Sequence, residues 1–143
     1  MREAAVKTRH FSNDVTELGR VSEWIHACFA NEGLQDGLLH RLDLCIHEAV
    51  ANVIRYGYPP AARGTIAISL EGTQGAIEAT VIDDGRAFDP LAHPPPPTAV
   101  SIDDLPVGGF GIHLIRSLSD GLEYRRESGR NLLLMRFRDR GSE

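Results

Sequence analysis

The sequence predicts an α+β fold: a two-layer sandwich in which helices cover one face of a mostly antiparallel sheet. The first observation is a change of period. Apolar residues recur every three or four positions before residue 56 and alternate with polar residues from residue 65. The second is that the alternating segments come in pairs joined by short glycine-containing turns, as antiparallel hairpins do. A length of 143 residues fits one domain over 1–143, without a visible repeat or linker.

The composition argues against several classes of function. The chain is 42% apolar and 24% charged, which is ordinary for a folded protein. Its formal net charge of −5 gives no general attraction to nucleic acid or to anionic membranes. No segment approaches the ~20 apolar residues of a transmembrane helix and no signal peptide is visible, so we expect a cytoplasmic location. Cys28 and Cys45 occupy apolar positions of predicted helices and are expected to be buried, reduced thiols.

The first half of the chain is predicted as one strand and two helices. The strand covers residues 4–11, and the helices cover about 14–31 and 36–55. Gly57 and the prolines after it stop the second helix, since proline has no N–H to donate. The apolar stripes are Val15, Leu18, Val21, Ile25, Cys28 and Phe29 in the first helix, and Leu38, Leu42, Cys45, Ile46, Ala49, Val50 and Val53 in the second.

The middle of the chain is predicted as a hairpin and a long loop. Residues 65–70 and 77–82 alternate as two strands, joined by a turn that contains Gly72 and Gly75. Residues 86–107 follow without any clear period and include a run of prolines. A long structureless stretch inside a small domain is usually a functional loop or a disordered one.

The last part of the chain is predicted as a helix and a second hairpin. The helix covers roughly residues 110–119, with apolar residues three apart facing inward. The strands cover 122–126 and 132–137, and the chain turns between them over 127–131.

Glu48 and Asn52 form a polar pair on the second helix. Residues four apart lie one turn along and project together, here at the edge of the apolar stripe. The carboxylate could serve as a base or hold a metal-bound water, and the amide oxygen suits Mg²⁺. An isolated pair of this kind is more often a solvated helix edge. His47 does not complete a zinc-protease motif, because position 51 is alanine.

Asp83 and Gly85 stand where an apolar strand ends. A carboxylate at this point can accept a hydrogen bond from an exocyclic amine such as that of adenine, and the glycine would let a flat ring approach the backbone. The alternative is an Asp-Gly turn with Phe88 folded back into the core.

A glycine run at residues 108, 109 and 111 opens the third helix. The free N–H groups and the positive dipole end of such a helix can receive phosphates. The run is not a Walker A loop, because no Gly-Lys-Ser/Thr follows, and no strand precedes it as in a Rossmann turn. On its own it is more often a flexible junction.

The three motifs occur in one order, and that combination resembles the anti-sigma-factor serine/threonine kinases. These belong to a superfamily with the ATP-binding domains of gyrase, a heat-shock chaperone, histidine kinases and a mismatch-repair ATPase. The resemblance spans roughly residues 10–138 and implies a Bergerat-type ATP-binding fold. The residues that carry it are Glu48 to Asn52, Tyr56 to Tyr58, Asp83, Gly85, Phe88 to Pro90, and Gly109 to Asp120.

The resemblance implies a role for each motif residue. Asn52 would hold Mg²⁺ against the triphosphate, and Glu48 would be the base that orients a partner's serine or threonine hydroxyl. Asp83 would bind the adenine amine, and Gly85 would give the ring room. Phosphoryl transfer needs mainly positioning and charge neutralisation, so this small set is chemically sufficient.

The resemblance also implies a phosphate site, a lid and partners. Gly109 and Gly111 would bind the phosphates through their N–H groups, and residues 86–107 would be the ATP lid. The expected cofactors are ATP and Mg²⁺. The expected partners are a sigma factor, an anti-sigma-factor antagonist as substrate, and a second copy of the chain.

Three residues depart from the family pattern. Tyr56 stands where relatives often carry histidine, Ala87 replaces a glycine common in the superfamily, and Val107 stands where some kinases carry a basic residue. The alternative function is therefore an ATP-binding module that sequesters a partner without phosphorylating it. A third possibility is an interaction domain that binds no nucleotide.

Overall fold

The computed structural model describes residues 5–73, 75–92 and 109–140, in which helices pack on one face of a five-stranded sheet. The strand order is β1-β2-β3-β5-β4, and every neighbouring pair is antiparallel. This confirms the predicted α+β sandwich. The strands are β1 (Ala5–Ser12), β2 (Thr65–Thr73), β3 (Ala76–Asp83), β4 (Gly121–Glu127) and β5 (Arg130–Arg138); the helices are α1 (Leu18–Cys28), α2 (Asp36–Tyr56) and α3 (Gly109–Leu118), with 3₁₀ turns at Val15–Glu17 and Pro90–Ala92.

The core lies between α2 and the sheet. Along β3, partly exposed and buried side chains alternate over the whole strand, so one face is covered and the other is open. The helix α2 contacts α1, α3, β3 and β5, and its Ile46 and Val50 are fully buried. The middle of α2 is therefore held against the centre of the sheet.

The start of α1 differs from the prediction. The side chain of Asp14 accepts a hydrogen bond from the Thr16 N–H at 3.0 Å and begins a 3₁₀ turn, and α1 follows only from Leu18. Because a 3₁₀ turn does not keep the α-helical period, Val15 does not continue the apolar stripe. Val15 is 63% exposed, so its predicted place in the core was wrong.

The two hairpin turns are tighter than predicted. Gly72 lies within β2, and Gly75 carries the positive φ of 74° at the turn. In the last hairpin only Ser128 and Gly129 form the turn, with φ of 51° and 76°, which suits a two-residue hairpin. Asn131, predicted to lie in the turn, is instead in β5.

Arg41 joins three elements. It lies on α2, and its side chain is only 11% exposed. Its guanidinium donates to the Leu118 carbonyl at 2.9 Å, to Asp120 at 3.3 Å and to the Arg138 carbonyl. These bonds tie the first half of α2 to the end of α3 and to the last residue of β5.

Other predictions concern the cysteines, the lid and the membrane. Cys28 and Cys45 are buried and free, as predicted, and burial raises the pKa of Cys45 to about 12. Of the predicted lid only residues 86–92 are described, and the rest, with Val107, lies outside the described residues. Within the parts of the chain that are described, no helix has the length and apolar character to cross a bilayer.

Candidate functional site

A cavity lies between α2 and the ends of β3, β4 and β5. It has a volume of about 30 Å³. Two predicted site residues, Asn52 and Asp83, line it together although they are far apart in the sequence. The remaining lining includes Ala49 of α2, Val81 and Leu133 of the sheet, Phe88 of the segment after β3, and the polar residues Tyr124 and Asn131 of the last hairpin.

Asn52 is more deeply placed than the sequence predicted. It is 5% exposed, although it was expected at the rim of the apolar stripe. Its Oδ1 is buried and has no hydrogen-bond partner among the described residues. An unsatisfied buried carbonyl oxygen costs on the order of 1–3 kcal/mol, a cost that a bound ligand or an ordered water would remove.

The unpartnered oxygen of Asn52 fits a divalent cation of the Mg²⁺ type. Mg²⁺ prefers oxygen ligands, keeps several waters and commonly takes one or two protein ligands together with substrate phosphates. The described residues contain no cluster of three His, Cys, Asp or Glu that could hold a metal without such help. A cation at Asn52 would therefore bind jointly with an anionic ligand.

Asp83 ends β3 and is 5% exposed. Its Oδ1 accepts the Gly85 N–H at 2.9 Å and the Asn131 side-chain amide at 2.9 Å. Burial raises the pKa of this carboxyl, and the bonds from Asn131 and Gly85 and the charge of Arg126 oppose the rise. The result is a buried carboxyl group with one oxygen already bonded twice.

Gly85 is required by a close approach of two backbone segments. A Cβ at this position would lie 2.3 Å from the Gly57 carbonyl oxygen, just after α2. The Arg86 N–H donates to the same oxygen at 2.9 Å. This contact alone requires a glycine, which is a different reason from the expected room for a ring.

The segment after β3 is held against the end of α2 by side chains as well. The Tyr58 hydroxyl donates to Asp84 at 2.6 Å. The rings of Phe88 and Tyr56 stack with centroids 5.5 Å apart. Phe88 is thus partly buried and stacked on Tyr56 beside the cavity, and does not lie in the core as the alternative prediction had it. Asp83 lines the same cavity.

Glu48 meets the first turn of α3. A Cβ at Gly111 would lie 2.6 Å from Glu48 Oε2, so the glycine permits this contact. Gly109 is the first residue of the same helix. A carboxylate close to a helix N-terminus is favourable, and the same helix end can receive phosphates. Glu48 and Asn52 are one helical turn apart, so the α3 terminus and the cavity are adjacent along α2.

Two residues of the site were not predicted. Asn131 is 6% exposed and pairs directly with Asp83 across β5 and β3. The Tyr124 hydroxyl donates to Asn131 Oδ1. The signal that could have found them is the Ser-Gly turn, because a two-residue turn places Asn131 inside a strand rather than in a loop.

Comparison with known proteins identifies the family. A family model described as a histidine kinase-like ATPase domain matches residues 11–137. The serine/threonine-protein kinase BtrW of Bordetella bronchiseptica is 30% identical over 112 residues, which is 78% of this chain and 79% of BtrW. The serine-protein kinase RsbW of Halalkalibacterium halodurans is 31% identical over 103 residues, which is 69% of this chain and 62% of that protein.

A solved structure has the same fold. It contains the RsbU and RsbW domains of Rv1364c from Mycobacterium tuberculosis, and the likeness has a TM-score of 0.64 at 16% identity. It covers 92% of this chain and 32% of that one. Together these comparisons confirm the resemblance to the anti-sigma-factor serine/threonine kinases. The chain belongs to the histidine kinase-like ATPase domain family, in the group that contains BtrW and RsbW.

Proposed function

We propose that the protein is an ATP- and Mg²⁺-dependent regulatory serine/threonine kinase. The observation that carries the proposal is the buried, unpartnered Oδ1 of Asn52 in the cavity that Asp83 also lines. The family model is that of an ATPase domain, and the relatives BtrW and RsbW are named as serine/threonine and serine-protein kinases.

In this proposal the cavity marks the end of the site that takes the base. Its volume of about 30 Å³ holds no more than a water or two, so the lining has to open for the ring to enter. Asp83 accepts a hydrogen bond from the adenine amine, and Gly85 keeps the adjoining segment close to α2. Asn52 stands between the cavity and the start of α3, where its oxygen would hold Mg²⁺. When bound, Mg²⁺ would neutralise charge on the phosphates.

The start of α3 is the end of the site that takes the phosphates. The N–H groups at Gly109 and Gly111 bind phosphate oxygens. Glu48 orients the hydroxyl of the protein substrate and accepts its proton, while the γ-phosphoryl group passes from ATP to the hydroxyl oxygen and ADP leaves.

We propose partners of the kind that the family resemblance implies. The substrate is a small anti-sigma-factor antagonist, the second partner is a sigma factor, and two copies of the chain form a homodimer in the cytoplasm. Residues 86–107 form the ATP lid of a single domain over 1–143.

The second candidate is a non-catalytic ATP-binding module. It is favoured by Val107, because a neutral residue before the glycine run brings no charge to the γ-phosphate. Such a module would bind ATP through Asn52 and Asp83 and sequester its partner without phosphorylating it.

One experiment separates the candidates. The protein is titrated with ATP in the calorimeter with and without Mg²⁺, and then incubated with γ-labelled ATP and candidate antagonists. A kinase binds ATP and labels an antagonist, and Glu48→Gln keeps the ATP affinity but reduces labelling at least about 100-fold. Label transfer that survives Glu48→Gln would disprove the base assignment. ATP binding without transfer to any antagonist favours the module, and absence of ATP binding disproves both candidates.

A further inference from the structure

Asn131 is a buried amide whose hydrogen-bonding capacity is fully used. Its NH₂ group donates to Asp83 Oδ1 at 2.9 Å and to the Arg86 carbonyl at 2.8 Å. Its Oδ1 accepts from the Tyr124 hydroxyl and, at 3.3 Å, from the Phe88 N–H. An amide side chain has two donors and two acceptor lone pairs, so every one of them is engaged.

These four partners fix the orientation of the amide. If the group were turned over, its oxygen would face the Asp83 carboxylate and the Arg86 carbonyl, which are both acceptors. Its NH₂ group would at the same time face the Phe88 N–H, which is a donor. Only the present orientation of the amide pairs donors with acceptors, and the Tyr124 hydroxyl helps to hold it.

The consequence falls on the two oxygens of Asp83. Oδ1 receives the Gly85 N–H and the Asn131 amide, both at 2.9 Å. The hydrogen bonds that the described residues donate to the Asp83 carboxylate both end on Oδ1, and none is recorded to Oδ2. Asp83, Asn131 and Tyr124 all line the same cavity, so Oδ2 is the oxygen that remains for a ligand.

We propose that Asn131, braced by Tyr124, is a positioning residue that presents Asp83 Oδ2 to the base and makes the site select a 6-aminopurine over a 6-oxopurine. An ionised carboxylate oxygen only accepts hydrogen bonds, so it pairs with an exocyclic amine and repels a ring carbonyl at the same position. This inference rests on the proposed ATP binding and concerns the same site.

The hydrogen bond from Asn131 also lowers the pKa of the Asp83 carboxyl group. Burial raises the pKa of Asp83, and the Asn131 amide is the first of the contacts that lower it. Without that amide the carboxyl group takes up a proton at a higher pH than in the wild type. A protonated oxygen can donate, so discrimination between amine and carbonyl falls as the pH is lowered.

The test compares ATP and GTP binding by calorimetry over a pH series. Asn131→Leu keeps the approximate size of the side chain and removes all four bonds. We expect ATP affinity to fall about tenfold, the preference for ATP over GTP to shrink, and both losses to grow on acidification. Tyr124→Phe removes only the hydroxyl that holds the amide, so ATP affinity and the preference for ATP over GTP should fall in the same way but by less.

A matched control is Asn13, another amide that bridges backbone segments, outside the cavity. Its NH₂ group donates to the Ala62 carbonyl at 2.8 Å and its Oδ1 accepts the Gly64 N–H at 3.0 Å. Asn13→Leu should lower stability and leave the ratio of ATP to GTP affinity and its pH profile unchanged.

The outcomes separate this inference from the proposed function. If the wild type binds ATP and folded Asn131→Leu keeps both the affinity ratio and the pH profile, the positioning role is wrong while ATP binding stands. If Asn131→Leu does not fold, Tyr124→Phe decides, and an unchanged ratio overturns the role. If the wild type binds no ATP, the proposed function fails, and this inference fails with it.

Discussion

At the scale of single residues, Asn52 carries a conflict between stability and binding. Its Oδ1 is buried without a partner among the residues that the structure describes, a state that costs folding free energy when no ligand is bound. We predict that Asn52→Leu, a change of similar volume, raises the free energy of unfolding of the nucleotide-free protein by about 1 kcal/mol. The same variant should lose the Mg²⁺-dependent rise in melting temperature that ATP gives to the wild type.

The contrast with Asn131 makes the Asn52 prediction sharp. Both amides line the cavity, but Asn131 is fully bonded, so Asn131→Leu should lower the free energy of unfolding. Urea unfolding of the two variants beside the wild type measures both changes. If Asn52→Leu proves as destabilising as Asn131→Leu, the Asn52 oxygen is satisfied in solution and the case for a cation there is lost.

The sequence predicted these residues unequally, for a physical reason. Asn52 and Asp83 each stand out locally, one as a polar residue in an apolar helix and the other as an acid at the end of an apolar strand. Their meeting in one cavity agrees with the family pattern. Asn131 has no such local mark, because its role comes from being opposite Asp83 in a neighbouring strand.

At the scale of elements, the contact between Glu48 and the first turn of α3 is made possible by a glycine at position 111. A Cβ at Gly111 would meet Glu48 Oε2 at 2.6 Å, whereas a Cβ at Gly37, in the first turn of α2, would meet nothing within 4 Å. Alanine in place of a helical glycine normally stabilises by roughly 0.5–1 kcal/mol. We predict that gain for Gly37→Ala and a smaller one for Gly111→Ala, where the end of the Glu48 side chain must move aside.

The two glycine variants also separate stability from activity. Gly111→Ala should reduce phosphoryl transfer more than ATP affinity, because it displaces the proposed base while the cavity is unchanged. Gly37→Ala should leave both unchanged. Thermal unfolding and the label-transfer assay provide the two measurements, and equal stabilisation by both substitutions would show that Glu48 does not hold its position against α3.

Element boundaries followed the sequence wherever the local signal was strong. The apolar period and the stop at Gly57 predicted the bounds of α2 to within one residue. The start of α1 was predicted wrongly because the Asp14 side chain forms a 3₁₀ turn first, and periodicity does not distinguish that turn from an α-helical one. The hairpin turn was drawn too wide because Arg130 and Asn131 are polar and resemble loop residues.

At the scale of the whole molecule, the order of the strands was beyond sequence reasoning. Hairpins join neighbours in the chain, and these were predicted. The pairing of β3 with β5 crosses over α3 and β4, and it is set by which apolar faces must share one core. That long-range pairing places Asn131 against Asp83 and so completes the site.

A polar clamp around Asp120 holds the layers of the molecule together. Asp120 accepts the Arg138 N–H at 2.7 Å, Arg41 at 3.3 Å and Arg140 at 2.8 Å. Burial opposes ionisation of this carboxyl, but the Arg138 N–H and the Arg140 and Arg41 guanidinium groups outweigh it, and the pKa of Asp120 lies below its ordinary value. The clamp fixes the end of α3 whose other end meets Glu48.

The sign of the pKa shift gives the pH dependence of the clamp. A carboxyl with a lowered pKa stabilises the fold at pH values above its ordinary, unfolded-state pKa, and that contribution is lost as the pH falls through the lowered, folded-state value. We predict that Asp120→Asn lowers the free energy of unfolding by about 1–2 kcal/mol at neutral pH. The difference from the wild type should shrink on acidification, since the wild-type carboxylate is then protonated as well.

Urea unfolding at a series of pH values measures this effect, with Arg41→Met and the double variant as controls. Arg41 and Asp120 share one network, so the double variant should be less destabilised than the sum of the single changes. Arg41→Met alone should also loosen α3, because the Leu118 carbonyl loses its donor. A difference between Asp120→Asn and the wild type that stays constant with pH would mean that the charge of Asp120 does not hold the layers, and that the clamp acts through its hydrogen bonds alone.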